Sequence, residues 1–162
     1  MSTVIDSIVT GKPAGPFAKM HNERSRELFM PFVVFSYPKW TDFEEVQEGL
    51  SVMCGHLLGS RKLKMLKATG TWEGEHEDSC VVFVNSASIM WGVIEAALTH
   101  YHQDAVITVN SDRQAGLVTH QGVTNKVKYI GIWESQGNKR PEGEDYTEVA
   151  GVYYTIRKRK GE

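Results

Sequence analysis

Residues 77–118 read EDSCVVFVNSASIMWGVIEAALTHYHQDAVITVNSDRQAGLV, and they carry the clearest secondary-structure pattern in the chain. Two short apolar runs, at 80–84 and 105–109, are each bounded by polar residues. Runs of this length and composition are typical of buried strands. A polar turn follows the second run, and residues 114–119 predict a third strand beyond it. The segment therefore predicts two strands separated by a linking element, with a hairpin at the end.

The linking element has helical periodicity. Apolar residues recur at the spacing of one helix face, which predicts a helix from about 86 to 102. Polar residues collect at the ends of the neighbouring strands, where open sheets usually keep their ligands. We therefore expect much of any functional site in this region. The buried face of the helix is predicted to comprise Ile89, Val93, Ala96, Ala97 and Tyr101.

The chain before this region predicts a strand, a helix and an approach to a second strand. Residues 31–37 are apolar and of β type, and 61–67 alternate basic and apolar side chains, as in a half-exposed strand. Between them, Thr41 and Glu44 form a capping-box pattern that predicts a helix start. This helix is predicted to end at Gly59. Its buried stripe is predicted to comprise Val46, Leu50, Met53 and Leu57.

Residues 69–78 are rich in glycine and acidic side chains, and we predict a loop there. Trp72 lies within this loop. A tryptophan here could serve as a lid over a flat ligand, or equally as an anchor at the edge of the core. Downstream, two more strands are predicted at 126–134 and 149–159, joined by a surface loop at 135–148.

The predicted elements follow the order β-α-β-β-α-β, with an added β-hairpin and C-terminal strands. This order is that of a ferredoxin-like α+β sandwich, with an antiparallel-rich sheet and both helices on one face. No further layer is evident for the other face, so we expect subunit association to cover it. A single domain is expected at 29–160. Glycine and proline interrupt residues 1–28, which predicts a flexible arm or, alternatively, an arm that crosses onto a neighbouring subunit.

Composition narrows the classes of function. A net charge of −2 gives no electrostatic basis for nucleic-acid binding. Cys54 and Cys80 lie in apolar runs and are expected to be buried, and the six histidines lack metal-ligand spacing, so no metal site is expected. The chain has no signal-peptide pattern and no apolar run long enough to cross a bilayer. We therefore expect a cytoplasmic protein without a membrane partner.

A group of residues around the predicted helix has a distinctive order and spacing: Glu77-Asp78-Ser79, Gln103-Asp104-Ala105-Val106, Ser111 and Ala115-Gly116-Leu117-Val118. In that order and spacing they resemble the phage-encoded S-adenosylmethionine lyases, a family formerly called S-adenosylmethionine hydrolases. The resemblance covers roughly residues 77–118. The same pattern is also similar to a broader bacterial group of small domains.

The resemblance implies a ferredoxin-like subunit that forms a homotrimer with its sites between subunits. It implies cleavage of S-adenosylmethionine to 5′-methylthioadenosine and homoserine lactone, with no metal and no organic cofactor. In a phage, the protein would act in the host cytoplasm and remove the methyl donor on which host restriction and modification depend.

With this substrate, Glu77 is the candidate catalytic residue. Its carboxylate could hold the substrate ammonium by a charge-assisted hydrogen bond, or act as a general base for water in a hydrolase mechanism. By position alone it is a solvent-exposed glutamate at the start of a strand. Glu75 is the nearest competitor, because it lies on the same side if the strand already extends there.

Five further residues are candidates for substrate binding. Trp72 could pack on adenine or on the sulfonium, since an aromatic face suits a cation. Gln103 could read the edge of adenine or brace a loop. Asp112 could take the ribose hydroxyls, although an aspartate in a turn more often caps its own backbone. The remaining two candidates are Asp104 and Ser111.

Two other classes of function stay open from the sequence alone. One is a non-catalytic trimeric module that binds a nucleotide-like metabolite, and the other is a phage inhibitor that acts on a host protein by contact. A fold cannot choose among these classes, because function depends on the site. Glu77 in a dry cleft between subunits would favour the enzyme, whereas Glu77 on a convex surface would favour the others.

Overall fold

A computed structural model describes residues 30–55, 63–119, 126–143 and 145–158. The arm predicted at 1–28 lies outside these residues, as do the predicted helix positions Leu57 and Gly59. None of the helices in these ranges is both long and apolar enough to cross a membrane.

The described part of the chain contains a strand-rich fold with two helices. Helix α1 spans Phe43–Met53, and helix α2 spans Ala87–Glu95 and continues into a π-helical turn at Ala96–His100. The strands are β1 Phe32–Ser36, β2 Met65–Trp72, β3 Glu75–Phe83, β4 Ala105–Val109, β5 Gln114–Thr119, β6 Lys128–Gly137, β7 Tyr146–Val149 and β8 Val152–Arg157.

The eight strands close into an antiparallel barrel in the order β1-β3-β2-β7-β8-β6-β5-β4, with β4 pairing back to β1. The prediction of a ferredoxin-like α+β sandwich is therefore wrong. Strands β4, β1, β3 and β2 do lie side by side, but strands β5 to β8 extend that sheet and join its two edges. The predicted open face does not exist, because it becomes the inside of the barrel.

The closed sheet separates two apolar cores, one on each of its faces. The inner core fills the barrel and includes Phe32, Val81 and Trp133, all buried. Phe32 contacts the edge of the Trp133 ring at a centroid distance of 5.1 Å. The outer core lies between the two helices and the outward residues of β1, β3, β4 and β5. Since the inner face is already packed, the need to cover an open face no longer argues for subunit association.

Helix α1 begins one residue later than its capping pattern predicts. Asp42 is the N-cap, and its Oδ1 accepts a hydrogen bond of 2.8 Å from the backbone N–H of Glu45. The hydroxyl of Thr41 instead donates to the Glu45 carboxylate. Both residue types are favoured at the N-cap, and here the Asp42 carboxylate occupies the capping position. Val46 and Leu50 are fully buried as predicted, whereas Met53 is 41% exposed.

Helix α2 matches its prediction closely. Ser86 is the N-cap and accepts a hydrogen bond from the backbone N–H of Ile89. The π-helical turn adds a wider turn at the end, closed by the N–H of Tyr101 donating to the carbonyl of Ala96. All five predicted positions, Ile89, Val93, Ala96, Ala97 and Tyr101, are buried. Cys54 and Cys80 are also buried, as predicted, and neither forms a disulfide.

Residues 69–78 form a β-hairpin, so the predicted loop is wrong. β2 and β3 pair from Met65↔Val82 to Trp72↔Glu75, and the chain turns at Glu73 and Gly74. Both turn residues have positive φ, of 51° and 82°, as a tight hairpin turn requires. Because β1 ends at Ser36, the hairpin extends beyond it at one end of the barrel.

A second hairpin closes the barrel where one C-terminal strand was predicted. β7 and β8 pair through Val149↔Val152, with Ala150 and Gly151 in the turn. β7 then pairs with β2, while β8 pairs with β6. This short hairpin is what joins the C-terminal strands to the N-terminal ones.

Candidate functional site

The barrel has two ends, and the predicted site residues are divided between them. The hairpin end contains the start of β3, the end of β1 and the start of β4, as the antiparallel registers require. The opposite end contains the start of α2 and the β4–β5 turn, and we call it the helix-start end. Five candidates, Trp72, Glu75, Glu77, Gln103 and Asp104, lie at the hairpin end, whereas Ser111 and Asp112 lie at the helix-start end.

Three of the candidates share one face of the extended hairpin. Glu75 pairs with Trp72 across the two strands, and Glu77 is two residues further along β3. Because side chains alternate along a strand and paired residues point the same way, all three lie on the face that continues the barrel interior. All three are exposed, Trp72 by 62%. Neither carboxylate forms an ion pair with another described residue, so each can receive a cationic ligand.

The strand beside Glu77 has no side chain at the paired position. Glu77 pairs with Gly70, which in turn pairs with Thr147 of β7. A Cβ at Gly70 would lie only 2.9 Å from the Oγ of Ser79, so a larger residue would displace this hydroxyl. Glycine inside a strand often marks a place where another group approaches the backbone closely. Gly70 therefore forms a floor of backbone next to Glu77, with the Ser79 hydroxyl directly above it.

Hydroxyl groups border this floor. The Oγ atoms of Ser36 and Ser79 are 2.8 Å apart, and Ser79 also donates to the backbone carbonyl of Glu77. Across Gly70, the row of paired residues continues through Thr147 to Tyr154 inside the barrel. The hairpin face therefore changes from carboxylates at its tip to hydroxyls at the barrel mouth.

Two backbone hydrogen bonds hold the hairpin in place. The N–H of Glu73 donates to the Asp145 carboxylate at 2.9 Å, and the N–H of Tyr37 donates to the carbonyl of Asp78 at 3.0 Å. Burial, helped by the negative charge of Asp78, raises the pKa of Tyr37 to about 12. The hairpin is thus fixed at its turn by Asp145 and nearer its base by Tyr37, while the side chains of Trp72, Glu75 and Glu77 remain exposed.

Gln103 and Asp104 belong to a different surface of the hairpin end. The side-chain amide of Gln103 donates to the carbonyl of Tyr101 at 3.0 Å, and its backbone N–H donates to the carbonyl of Ala97. Gln103 thus braces the end of the π-helical turn, one of the two roles considered for it. With Asp104, which is exposed, it lines a cleft of about 720 Å³ that also contains His102 and Thr119.

Ser111 and Asp112 lie in the β4–β5 turn, far along the strands from Glu77. Asn110 organises this turn, because its Oδ1 accepts from the backbone N–H groups of Asp112 and Gln114. The Asp112 carboxylate is therefore not needed to cap its own turn. The turn borders a cleft of about 940 Å³ beside the start of α2, here called the α2 cleft, which is lined among others by Asn85, Ser86, Met90, Thr108, Gly116 and Tyr129.

Several residues around Glu77 were not identified as site residues from the sequence. Ser36, Ser79 and Thr147 are ordinary hydroxyl residues whose importance depends on strand register. Gly70 carried a signal, since an isolated glycine followed by a strand-type threonine and tryptophan indicates close approach in a strand. The signal was not used because residues 69–78 were predicted to be a loop.

The hairpin face is chemically suited to a cationic, partly aromatic ligand. Two carboxylates about 7 Å apart along one strand face attract positive charge, and an exposed indole offers a surface for a flat ring or an onium group. The hydroxyls nearby can accept or donate hydrogen bonds. No cysteine, serine-histidine or metal-ligand arrangement accompanies them in the described ranges.

Comparisons with known proteins identify the family. None of the curated proteins compared with this chain matches it. The model of the S-adenosylmethionine lyase family matches residues 44–157, which is most of the chain and includes both helices and strands β2 to β8. The chain therefore belongs to the S-adenosylmethionine lyase family, whose members are enzymes that cleave S-adenosylmethionine.

Proposed function

We propose that this enzyme converts S-adenosylmethionine to 5′-methylthioadenosine and homoserine lactone. A carboxylate oxygen of the substrate attacks its own γ carbon, a new C–O bond forms, and the C–S bond breaks with its electron pair going to sulfur. The sulfonium becomes a neutral thioether, and the attacking carboxylate becomes the lactone ester. No side chain of the enzyme has to act as a nucleophile in this reaction.

In this mechanism Glu77 binds the substrate ammonium. A charge-assisted hydrogen bond from the ammonium to the carboxylate would hold the methionine arm folded, with its own carboxylate near the γ carbon. Holding reacting groups in this geometry is worth several kcal/mol of the barrier, about 7 in favourable cases. The observation that carries the proposal is the exposed Glu77 carboxylate, which forms no ion pair with another described residue and lies beside Gly70, where the neighbouring strand has no side chain.

Trp72 and Glu75 have supporting roles in this proposal. The exposed indole of Trp72 would pack against adenine or the sulfonium, and Glu75 would add negative potential at the hairpin tip. Gln103 and Asp104 lie at the same end but on another surface, so in this proposal they contact the substrate only if a neighbouring subunit brings them to it.

The reaction requires a drier site than one chain provides. Opposite charges in the substrate disappear in the transition state, so water stabilises the ground state more and slows the reaction. Glu77 and Trp72 are both exposed in the single chain. We therefore propose that neighbouring copies cover the hairpin in a homotrimer, with each site between two subunits.

The biological role we propose is removal of the methyl donor. In a phage-encoded enzyme, depletion of S-adenosylmethionine in the host cytoplasm would block restriction and modification systems that need it. Because the family consists of enzymes that act on this substrate, a purely non-catalytic or host-binding role is the less favoured alternative.

Product identification tests the reaction. The purified full-length protein is incubated with S-adenosylmethionine, the nucleoside product is separated by chromatography, and the amino-acid product is trapped with hydroxylamine. We expect methylthioadenosine and the hydroxamate of homoserine, which only the lactone forms readily. Free homoserine from the earliest time point, without hydroxamate, would overturn the intramolecular mechanism and favour attack by water.

Light scattering on the same preparation tests the assembly. We expect a mass close to three chains at micromolar concentration. A stable monomer with full activity would overturn the proposal that sites form between subunits.

A further inference from the structure

The α2 cleft lies at the opposite end of the barrel from the hairpin and has no part in the proposed reaction. It is formed by one chain, from the start of α2, the ends of β3 and β4, and the starts of β5 and β6. Its volume of about 940 Å³ falls within the range of small-molecule sites.

A mostly buried threonine of β4 lines this cleft. Thr108 lines the cleft and is only 8% exposed, and its Oγ1 forms no hydrogen bond with another described residue. This oxygen lies beside Gly116, since a Cβ built there would be 3.1 Å from it. The oxygen is not fully enclosed, so a ligand in the cleft can reach it and form a hydrogen bond.

The start of α2 provides donors at the same place. Ser86 caps the N–H of Ile89, which leaves the N–H groups of Ala87 and Ser88 without a partner in the helix. These groups, together with the positive end of the helix dipole, favour an acceptor atom of a ligand. They add to the Thr108 hydroxyl as a second source of hydrogen bonds from the wall of the cleft.

The other lining side chains indicate the shape and charge of the ligand that the cleft can bind. Met90 and the ring of Tyr129 give apolar surfaces suited to a flat ring. Asp112 is the one charged side chain among the described lining residues, and its exposed carboxylate can accept hydrogen bonds from two neighbouring hydroxyls. Neither lysine nor arginine occurs among the described lining residues, so none of these side chains could balance the charge of a phosphate.

We propose that the α2 cleft binds a neutral nucleoside. The flat base lies between Met90 and Tyr129 with a hydrogen bond to Thr108, and the vicinal hydroxyls of the ribose donate to Asp112. The binding site stands independently of the mechanism proposed for the hairpin. Cleavage of S-adenosylmethionine releases a nucleoside of this chemical class, so the cleft can respond to accumulated product.

Adenosine is the probe for this site, and amide chemical shifts of the full-length protein are the readout. Binding at the α2 cleft is expected to move the signals of Ala87, Ser88 and Gly116, whereas binding at the hairpin would move those of Gly70 and Gly74. Adenosine 5′-monophosphate is expected to bind at least several-fold more weakly, because no lysine or arginine among the described lining residues can pair with its phosphate. 2′-Deoxyadenosine is expected to bind more weakly than adenosine because it lacks one of the two hydroxyls.

Two variants test the residues. Thr108→Val keeps the side-chain shape and removes the hydroxyl, and we expect it to weaken adenosine binding roughly 3- to 10-fold. Asp112→Asn, in an exposed turn where folding should be unaffected, is expected to weaken it about tenfold. Thr69→Val, at a half-buried threonine of β2 that lines neither cleft, is the matched control and should bind as the wild type does.

Three results would overturn the proposal. One is adenosine shifting only the hairpin signals, another is adenosine monophosphate binding more tightly than adenosine, and the third is equal affinity in Asp112→Asn and the wild type. The proposal would be supported if adenosine shifts the α2-cleft signals, if either variant needs a higher adenosine concentration for the same shift, and if the hairpin signals stay unchanged.

Discussion

The hairpin end and the helix-start end of the barrel present carboxylates in different surroundings. Glu77 lies beside Gly70, beyond the end of β1, and its side chain is exposed. Asp112 borders a cleft whose floor and walls all come from the same chain. In our proposals the site at the hairpin end depends on a neighbouring copy, whereas the α2 cleft does not. Mutations at the hairpin end should therefore change cleavage, whereas mutations at the α2 cleft should change adenosine binding.

The largest expected effect is that of Glu77→Gln. Glutamine keeps the size of glutamate and most of its hydrogen-bonding capacity, but it removes the charge that would hold the substrate ammonium. Losing such a contact costs about 2–4 kcal/mol of transition-state stabilisation, or roughly 30- to 1000-fold in kcat/KM. The measurement is steady-state cleavage of S-adenosylmethionine, with adenosine binding at the α2 cleft unchanged.

Glu75→Gln is the control for this variant and is expected to cost far less. If both variants cleave at nearly the wild-type rate, Glu77 is only an exposed strand residue. If Glu75→Gln alone is inactive, Glu75 and not Glu77 is the carboxylate that the reaction requires. Loss of assembly in Glu77→Gln would instead assign the residue a structural role.

A matched pair of glycine variants compares the two ends directly. In Gly70→Ala the new Cβ lies 2.9 Å from the Ser79 Oγ and narrows the floor beside Glu77, so we expect about a tenfold loss of kcat/KM. In Gly116→Ala the new Cβ lies 2.1 Å from the Cγ1 of Val127, which must move and alter the α2 cleft. This variant should lose adenosine binding but retain cleavage. An equal loss of cleavage in both variants would show that the two ends are not independent.

Dilution should separate the two ends without any mutation. If the hairpin site forms between subunits, the cleavage rate per chain will fall several-fold once the protein is diluted below its assembly concentration, by mass action. Adenosine affinity at the α2 cleft should stay constant over the same range. A constant cleavage rate in samples that light scattering shows to be monomeric would contradict a shared site.

The smallest expected effect concerns pH and the base of the hairpin. Burial raises the pKa of Tyr37 from 10.0 to about 12, so folding favours the protonated phenol. The stability that this provides is fully present below pH 10 and is lost as the pH rises from 10 towards 12. Tyr37→Phe cannot ionise, so its urea midpoint should fall less steeply over that interval. A decline as steep as that of the wild type would mean that ionisation at Tyr37 is not involved.

The sequence predicted the local helices and strands better than it predicted how the strands close into a barrel. Helix α2 was predicted from its apolar stripe, because that stripe depends only on residues close in sequence. The hairpin at Glu73 and Gly74 was missed because glycine and acidic residues are uncommon in strands, and here strand pairing outweighs that preference. The turn at Ala150 was missed because alanine rarely adopts its φ of 50°.

The division of the candidate site could not be predicted from spacing either. The resemblance grouped Glu77, Gln103 and Ser111 in one short segment of sequence. Each strand, however, carries the chain from one end of the barrel to the other, so residues on either side of β4 are separated by its full length. Only the register of β4 with β1 shows that Gln103 lies at the same end as Glu77 while Ser111 does not.

The hairpin also has a consequence for the behaviour of the protein at high concentration. β1 pairs with β3 only from Ser79 onwards, so none of the described strands pairs with residues 75–77 of β3 on that edge. An exposed strand edge is a template on which another molecule can add its own strand. Glu75 and Glu77 place like charges along this edge and repel an identical edge, as gatekeeper residues do in other sheet proteins. The carboxylates that we propose for substrate binding would therefore also protect the protein against edge-to-edge aggregation.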